Sequence, residues 1–142
     1  MKQSRLRARI GATAVTAVVL TGGAVALAAP ASAKANLIAI DGAEYAAKPK
    51  PVIIVDVTYS CDTGENLRIA AVATSTANKK AVATGTLASG EVTCDFGSHI
   101  AEVKLTPKAG AVFHKGDKVK VAVKTLDATN YVYADAEKFA KI

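Results

Sequence analysis

A chain of 142 residues, 51% of them hydrophobic, has room for one domain and is too apolar to remain disordered. Its formal charge is +6, but four basic residues, Lys2, Arg5, Arg7 and Arg9, lie together at the start. Without them the excess falls to +2, too small for the basic footprint of a nucleic-acid binder.

Residues 1–33 read as a secretory signal peptide. The basic start leads into an apolar stretch from Ile10 to about Ala29, then Pro30-Ala31-Ser32-Ala33. Ala31 and Ala33 supply the small residues of a cleavage site, placing the mature N-terminus at Lys34. The three arginines are never adjacent, which argues against the twin-arginine route. The expected mature protein is therefore residues 34–142, a single domain secreted to the extracellular space. It retains no apolar run long enough to span a bilayer, so no stable membrane insertion is expected after cleavage.

That domain holds 27 Leu, Ile, Val and Phe residues among 109, enough for a core. Its 20 alanines and lack of Trp make the core a thin one. Cys61 and Cys94 are the only cysteines, and an oxidising compartment favours joining them in one disulfide. Closing a loop of about 34 residues is worth roughly 3–4 kcal/mol in the chain-entropy account. The pair lacks the C-x-x-C spacing of redox and metal chemistry.

Short strands separated by turn residues fill the domain. The first is Leu37 to Ile40, closed by the turn pair Asp41-Gly42. Pro49 and Pro51 keep the next stretch out of a central strand. From Val52 to Cys61 the odd positions Ile53, Val55, Val57, Tyr59 and Cys61 share one face, which predicts a buried disulfide. Strands follow over Leu67 to Thr74 and Ala81 to Leu87, separated by the polar turn at Ala77–Lys80. Glu91 to Phe96 reads as a strand carrying Cys94. Ile100 to Leu105 turns Ala101, Val103 and Leu105 to one side. Pro107 and Gly110 mark a loop that holds Phe113. In the next strand Val119, Val121 and Val123 alternate with Lys118, Lys120 and Lys124. The last segment, Tyr131 to Phe139, fits a strand with a bulge near Asp135 or a short helix. About seven strands at this spacing predict an all-β fold, an antiparallel immunoglobulin-like β-sandwich with one disulfide. A small barrel is the competing architecture.

The runs Val55-Asp56-Val57-Thr58-Tyr59-Ser60-Cys61 and Val92-Thr93-Cys94-Asp95, with Leu67 to Thr74 between them, carry a resemblance. With the loop Phe113-x-x-Gly116, they resemble a family of small secreted actinobacterial domains across about residues 50–125. The resemblance implies a two-cysteine, immunoglobulin-like sandwich, and its motifs carry no catalytic residue. The family often has an aromatic residue, commonly Trp, where this chain has Ser98-His99-Ile100-Ala101.

Catalytic patterns are sparse. His99 and His114 are the only histidines, and Ser98 beside His99 would face the opposite side of a strand. The acidic loops Asp41–Glu44 and Cys61–Asn66 lack the alternating ligands of a calcium site. No cofactor is implied, and the chain reads as non-enzymatic.

One surface feature has a physical route to function. Lys115, Lys118, Lys120 and Lys124, with His114, form a candidate polyanion-binding stripe for cell-wall polymer or lipid headgroups. The competing reading gives those lysines a structural role, keeping a strand edge from pairing with other chains. Tyr131 and Tyr133 are the one pair spaced to present two rings to a sugar. The primary expectation is an extracellular binding or structural module with a protein or cell-wall polymer as partner. The alternatives are a cell-envelope adhesion module using the stripe, and a small secreted enzyme inhibitor using the loop Thr106 to Gly116.

Overall fold

The computed structural model describes residues 36–142, so the expected signal peptide at residues 1–33 lies outside the described residues. The described chain forms seven strands, β1 (Leu37–Ala46), β2 (Val52–Ser60), β3 (Arg68–Ser75), β4 (Val82–Leu87), β5 (Ser98–Pro107), β6 (Lys118–Leu126) and β7 (Val132–Lys141). All pairings are antiparallel, in the order β1-β2-β5-β4-β3-β6-β7. The junction between β5 and β4 is short, only Thr106 opposite Thr84 and Pro107 opposite Ala83. Hydrogen bonding therefore divides into a three-strand stretch, β1-β2-β5, and a four-strand stretch, β4-β3-β6-β7.

The core lies between the two stretches. β2 and β5 contribute Ile53, Val55, Val57, Val103 and Leu105; β3 and β6 contribute Ile69, Ala71, Ala73, Val119, Val121 and Val123. These are the positions that period-two alternation assigns to the inner face. Burying one Val, Leu or Ile side chain contributes about 1.5–3 kcal/mol, so this double row of branched residues sets the register. Phe113 closes the core from the β5–β6 loop, and Ile142 follows β7 into it.

The curled sheet brings β1 and β7 side by side, and a side chain bridges them. Lys138 Nζ donates to the carbonyl oxygens of Ile40 at 3.1 Å and Asp41 at 2.8 Å. Its neighbours in the inward register of β7 are Ala136 and Ala140, opposite Val123 and Val119. Small residues there leave room for β1 to approach.

The structure corrects four local expectations. Asp41-Gly42 is a β-bulge within a continuous β1, because pairing to β2 resumes at Gly42 opposite Asp56. Glu91–Phe96 is not a strand: a 3-10 turn at Ser89–Glu91 leads into a loop that crosses from β4 to β5. The C-terminal segment is a strand whose bulge falls at Tyr133, since Thr125 faces Ala134 and Leu126 faces Val132. The disulfide is only partly buried, with Cys61 enclosed and Cys94 half-exposed in the crossing loop.

Candidate functional site

Three loops converge at one end of the fold: residues 61–67 after β2, residues 88–97 before β5, and residues 127–131 between β6 and β7. Cys61 and Cys94 are bonded, tying the first loop to the second. Four further contacts fix the crossing loop. The Thr93 N–H donates to the Tyr59 hydroxyl at 3.0 Å, and the Phe96 N–H donates to the Cys61 carbonyl at 3.1 Å. His99 Nε2 meets Asp95 Oδ1 at 2.7 Å, while the Gly97 N–H donates to the same oxygen at 2.8 Å. The backbone turns so tightly here that a Cβ on residue 97 would lie 2.7 Å from that carboxylate.

His99 faces Tyr59 directly across β2 and β5, with ring centroids 5.6 Å apart. The hydrogen bonds from His99 and then Gly97 hold the Asp95 carboxyl below its ordinary aspartate value. Ser98, the neighbour of His99, lies in the outward register and lines a different surface. That surface is an open, mainly apolar groove of about 660 Å³ lined by Leu37, Ile38, Tyr59, Ser60, Cys61 and Phe96, among others. Phe96 is 46% exposed, and its backbone adopts a φ of 66°, a left-handed conformation uncommon outside glycine. The disulfide two residues away and the hydrogen bond to Cys61 hold that conformation.

The third loop is organised around Asp127. Its Oδ1 accepts hydrogen bonds from the Thr129 hydroxyl at 2.7 Å and from the N–H groups of Thr129 and Tyr131 at 2.8 and 3.0 Å. The Thr129 hydroxyl is the leading cause that lowers the Asp127 pKa. Arg68 at the start of β3 donates to the Asp127 carbonyl at 2.9 Å and to the Asn130 side chain. Beside this loop, Tyr131 and Tyr133 pack edge to face at 86° with centroids 5.1 Å apart. The two rings therefore do not form the shared flat platform expected of a sugar-binding pair. In the first loop, Asp62 Oδ1 and Glu65 Oε2 are shielded from solvent without hydrogen-bond partners. Among the described residues, no three His, Cys, Asp or Glu side chains gather to hold a metal ion.

The lysine stripe runs along β6, from Lys118 at the opposite end to Lys124 near this one, and is not gathered at the loops. Lys118, Lys120 and Lys124 occupy the outer face of β6, a strand paired to β3 on one side and β7 on the other. They consequently guard no open edge. Lys120 Nζ is 2.8 Å from Glu137 Oε2, and Lys124 faces Asp135 across the same pair of strands. Lys115 sits in a loop at the opposite end, beside Glu44, Gly116 and Lys141 in a shallow pocket. His114 turns to Asp117, whose carboxylate accepts the His114 backbone N–H at 2.8 Å. The loop expected over Thr106 to Gly116 begins only after β5, because Thr106 and Pro107 pair with β4; the remainder buries Phe113 and folds into successive turns, leaving Val112 exposed.

Sequence reasoning missed Phe96, the Asp95–His99 contact and the part played by Leu37. The Asp95-x-Gly97 spacing carried a turn signal. The four-residue interval to His99 carried none, because it spans a loop and the start of a strand. The chain matches no protein-family model, no curated protein and no solved structure. Among the described residues, no helix is long and apolar enough to cross a membrane.

Proposed function

We infer that the chain is a secreted, non-enzymatic, immunoglobulin-like domain, an extracellular binding module whose recognition surface is the disulfide-held loop end. The sandwich assignment is supported by the division of hydrogen bonding into β1-β2-β5 and β4-β3-β6-β7 around one core. The disulfide supports an oxidising destination. One observation carries the binding reading: the groove beside Phe96. Phe96 and Leu37, 46% and 62% exposed, flank a concavity whose walls are pinned by the disulfide. An exposed apolar site held in one shape binds with little ordering cost, which suits a protein side chain better than a charged polymer.

The test is retention of the protein from culture medium on isolated envelope and on immobilised culture-filtrate proteins. Phe96→Ser is expected to abolish retention while unfolding remains cooperative. Retention by the Phe96→Ser variant equal to that of the wild type would overturn the groove. Loss of retention only in Lys118→Gln/Lys120→Gln/Lys124→Gln would instead establish the adhesion reading.

A further inference from the structure

The outer faces of the two stretches carry opposite net charge, although Lys104 lies on the acidic face and Asp135 and Glu137 lie on the basic one. On β1-β2-β5, Asp56 stands directly opposite Glu102 across β2 and β5. Asp41, in the β1 bulge beside them, accepts a hydrogen bond from Thr58 at 2.7 Å, and Glu44 lies further along β1. On β4-β3-β6-β7, Lys118 stands directly opposite Lys141 across β6 and β7. Lys120 and Lys124 follow in the same register of β6, the first paired to Glu137 and the second facing Asp135, so the uncompensated basic charge is at Lys118 and Lys141.

Like charges placed directly opposite each other weaken the sheet that carries them. The ion pairs among the described residues are His99–Asp95, His114–Asp117 and Lys120–Glu137. Among the described residues, neither like-charged pair therefore has an ion-pair partner. Each pair also lies beside a large apolar side chain left in water. Ile100, two positions before Glu102 on β5, is 78% exposed; Phe139, two positions before Lys141 on β7, is 72% exposed. The acidic face thus offers an acid pair with an adjacent apolar anchor, and the basic face offers a lysine pair with the same neighbour.

We propose that the acidic face of one molecule docks on the basic face of a second copy of this chain, setting Asp56 and Glu102 against Lys118 and Lys141. The low net charge of residues 34–142 opposes such association little. The two faces lie on opposite sides of the core, so the contact is heterologous and adds molecules head to tail, beyond a dimer. This contact uses the sheet faces and not the groove beside Phe96, so it goes beyond the binding-module reading. Retention on envelope without self-association would leave that reading standing and remove this one.

Sedimentation velocity of the secreted protein over a range of concentrations tests it. At low salt the average sedimentation coefficient is expected to keep rising with concentration. It should return to the monomer value in high salt, because screening contracts from about 30 Å at 0.01 M to about 3 Å at 1 M ionic strength. Asp56→Lys/Glu102→Lys leaves two basic faces, and Lys118→Glu/Lys141→Glu leaves two acidic ones. Each double variant is expected to stay monomeric alone, and an equimolar mixture to associate. The neutral pair Asp56→Asn/Glu102→Gln, checked by its urea midpoint, covers the case in which charge reversal disturbs the fold. A protein monomeric at every concentration in low salt overturns the proposal. So does a plateau at dimer, association unchanged by salt, or a mixture that fails to associate.

Discussion

Gly85 of β4 meets the backbone of Lys104 in β5 so closely that a Cβ on Gly85 would lie 2.2 Å from the Lys104 carbonyl oxygen and 2.9 Å from Leu105 Cδ2. The contact sits next to the two-residue junction at Thr84 and Thr106, where the chain passes from one hydrogen-bonded stretch to the other. Glycine there is a condition of the fold, because the facing atom is backbone and cannot rotate away.

Gly85→Ala should accordingly force β4 off β5. Overpacking of this kind costs about 1–3 kcal/mol. The effect should appear as a lower urea midpoint with the slope unchanged. A midpoint equal to the wild type would show that the junction relaxes without cost.

The disulfide prediction follows from the crossing loop. Alkylation under native and denaturing conditions should find no free thiol in the purified protein. Cys61→Ser or Cys94→Ser should lower stability by about 2–5 kcal/mol. The Tyr59–Thr93 hydrogen bond holds the same loop, so Tyr59→Phe should loosen it by roughly 1 kcal/mol in the intact protein. Hydrogen exchange at Thr93 would report that change, and unchanged protection there would refute it.

Much of this was legible in the chain. Odd-numbered residues from Ile53 to Tyr59, and Val119, Val121 and Val123, lie inward where alternation put them. A strand buried on one face tolerates only one register, and that made these elements readable. The elements that failed are those decided by distant partners. Asp41-Gly42 has turn composition, yet β2 runs past it, so pairing on both sides converts the turn into a bulge. Glu91–Phe96 has strand-like composition but must cross between the two stretches, and the bond to Cys61 fixes it as a loop. The lysine pattern on β6 was correctly outward, whereas nothing local showed that β6 has neighbours on both sides.

A pH dependence follows from Asp95 and Asp127, both lowered from the ordinary value of 3.8, chiefly by hydrogen bonds from His99 and the Thr129 hydroxyl respectively. A carboxyl whose pKa is depressed in the fold contributes stability above its unfolded value and loses it as pH falls through the folded value. Stability should therefore decline below about pH 4. Asp95→Asn should flatten part of that decline, and Asp127→Asn another part. Carboxyl resonances followed by NMR would locate each titration. An Asp95 titrating at or above its ordinary value would refute the attribution.

The last prediction concerns the seam between β1 and β7. Lys138 stands opposite Val121 in the inward register, where its neighbours on β7 are alanines. Its ammonium reaches two carbonyls at the β1 bulge, one of them, Asp41, freed by the bulge itself. Lysine here does what the β6 lysines do not: it occupies an edge that would otherwise present unpaired backbone groups to another chain. Lys138→Met keeps the stem and volume but removes the donors. The contacts are partly exposed, so the expected loss is modest, about 1 kcal/mol. Amide exchange should quicken in β1 around Ile40 and Asp41 while β3 stays protected, because β3 is paired on both sides. Lys138→Arg should restore most of the protection by supplying donors of similar reach. The opened edge should also let Lys138→Met associate through backbone pairing, and that association should survive high salt, unlike contact between charged faces. Unchanged exchange in β1 would show that the two strands hold each other by packing alone.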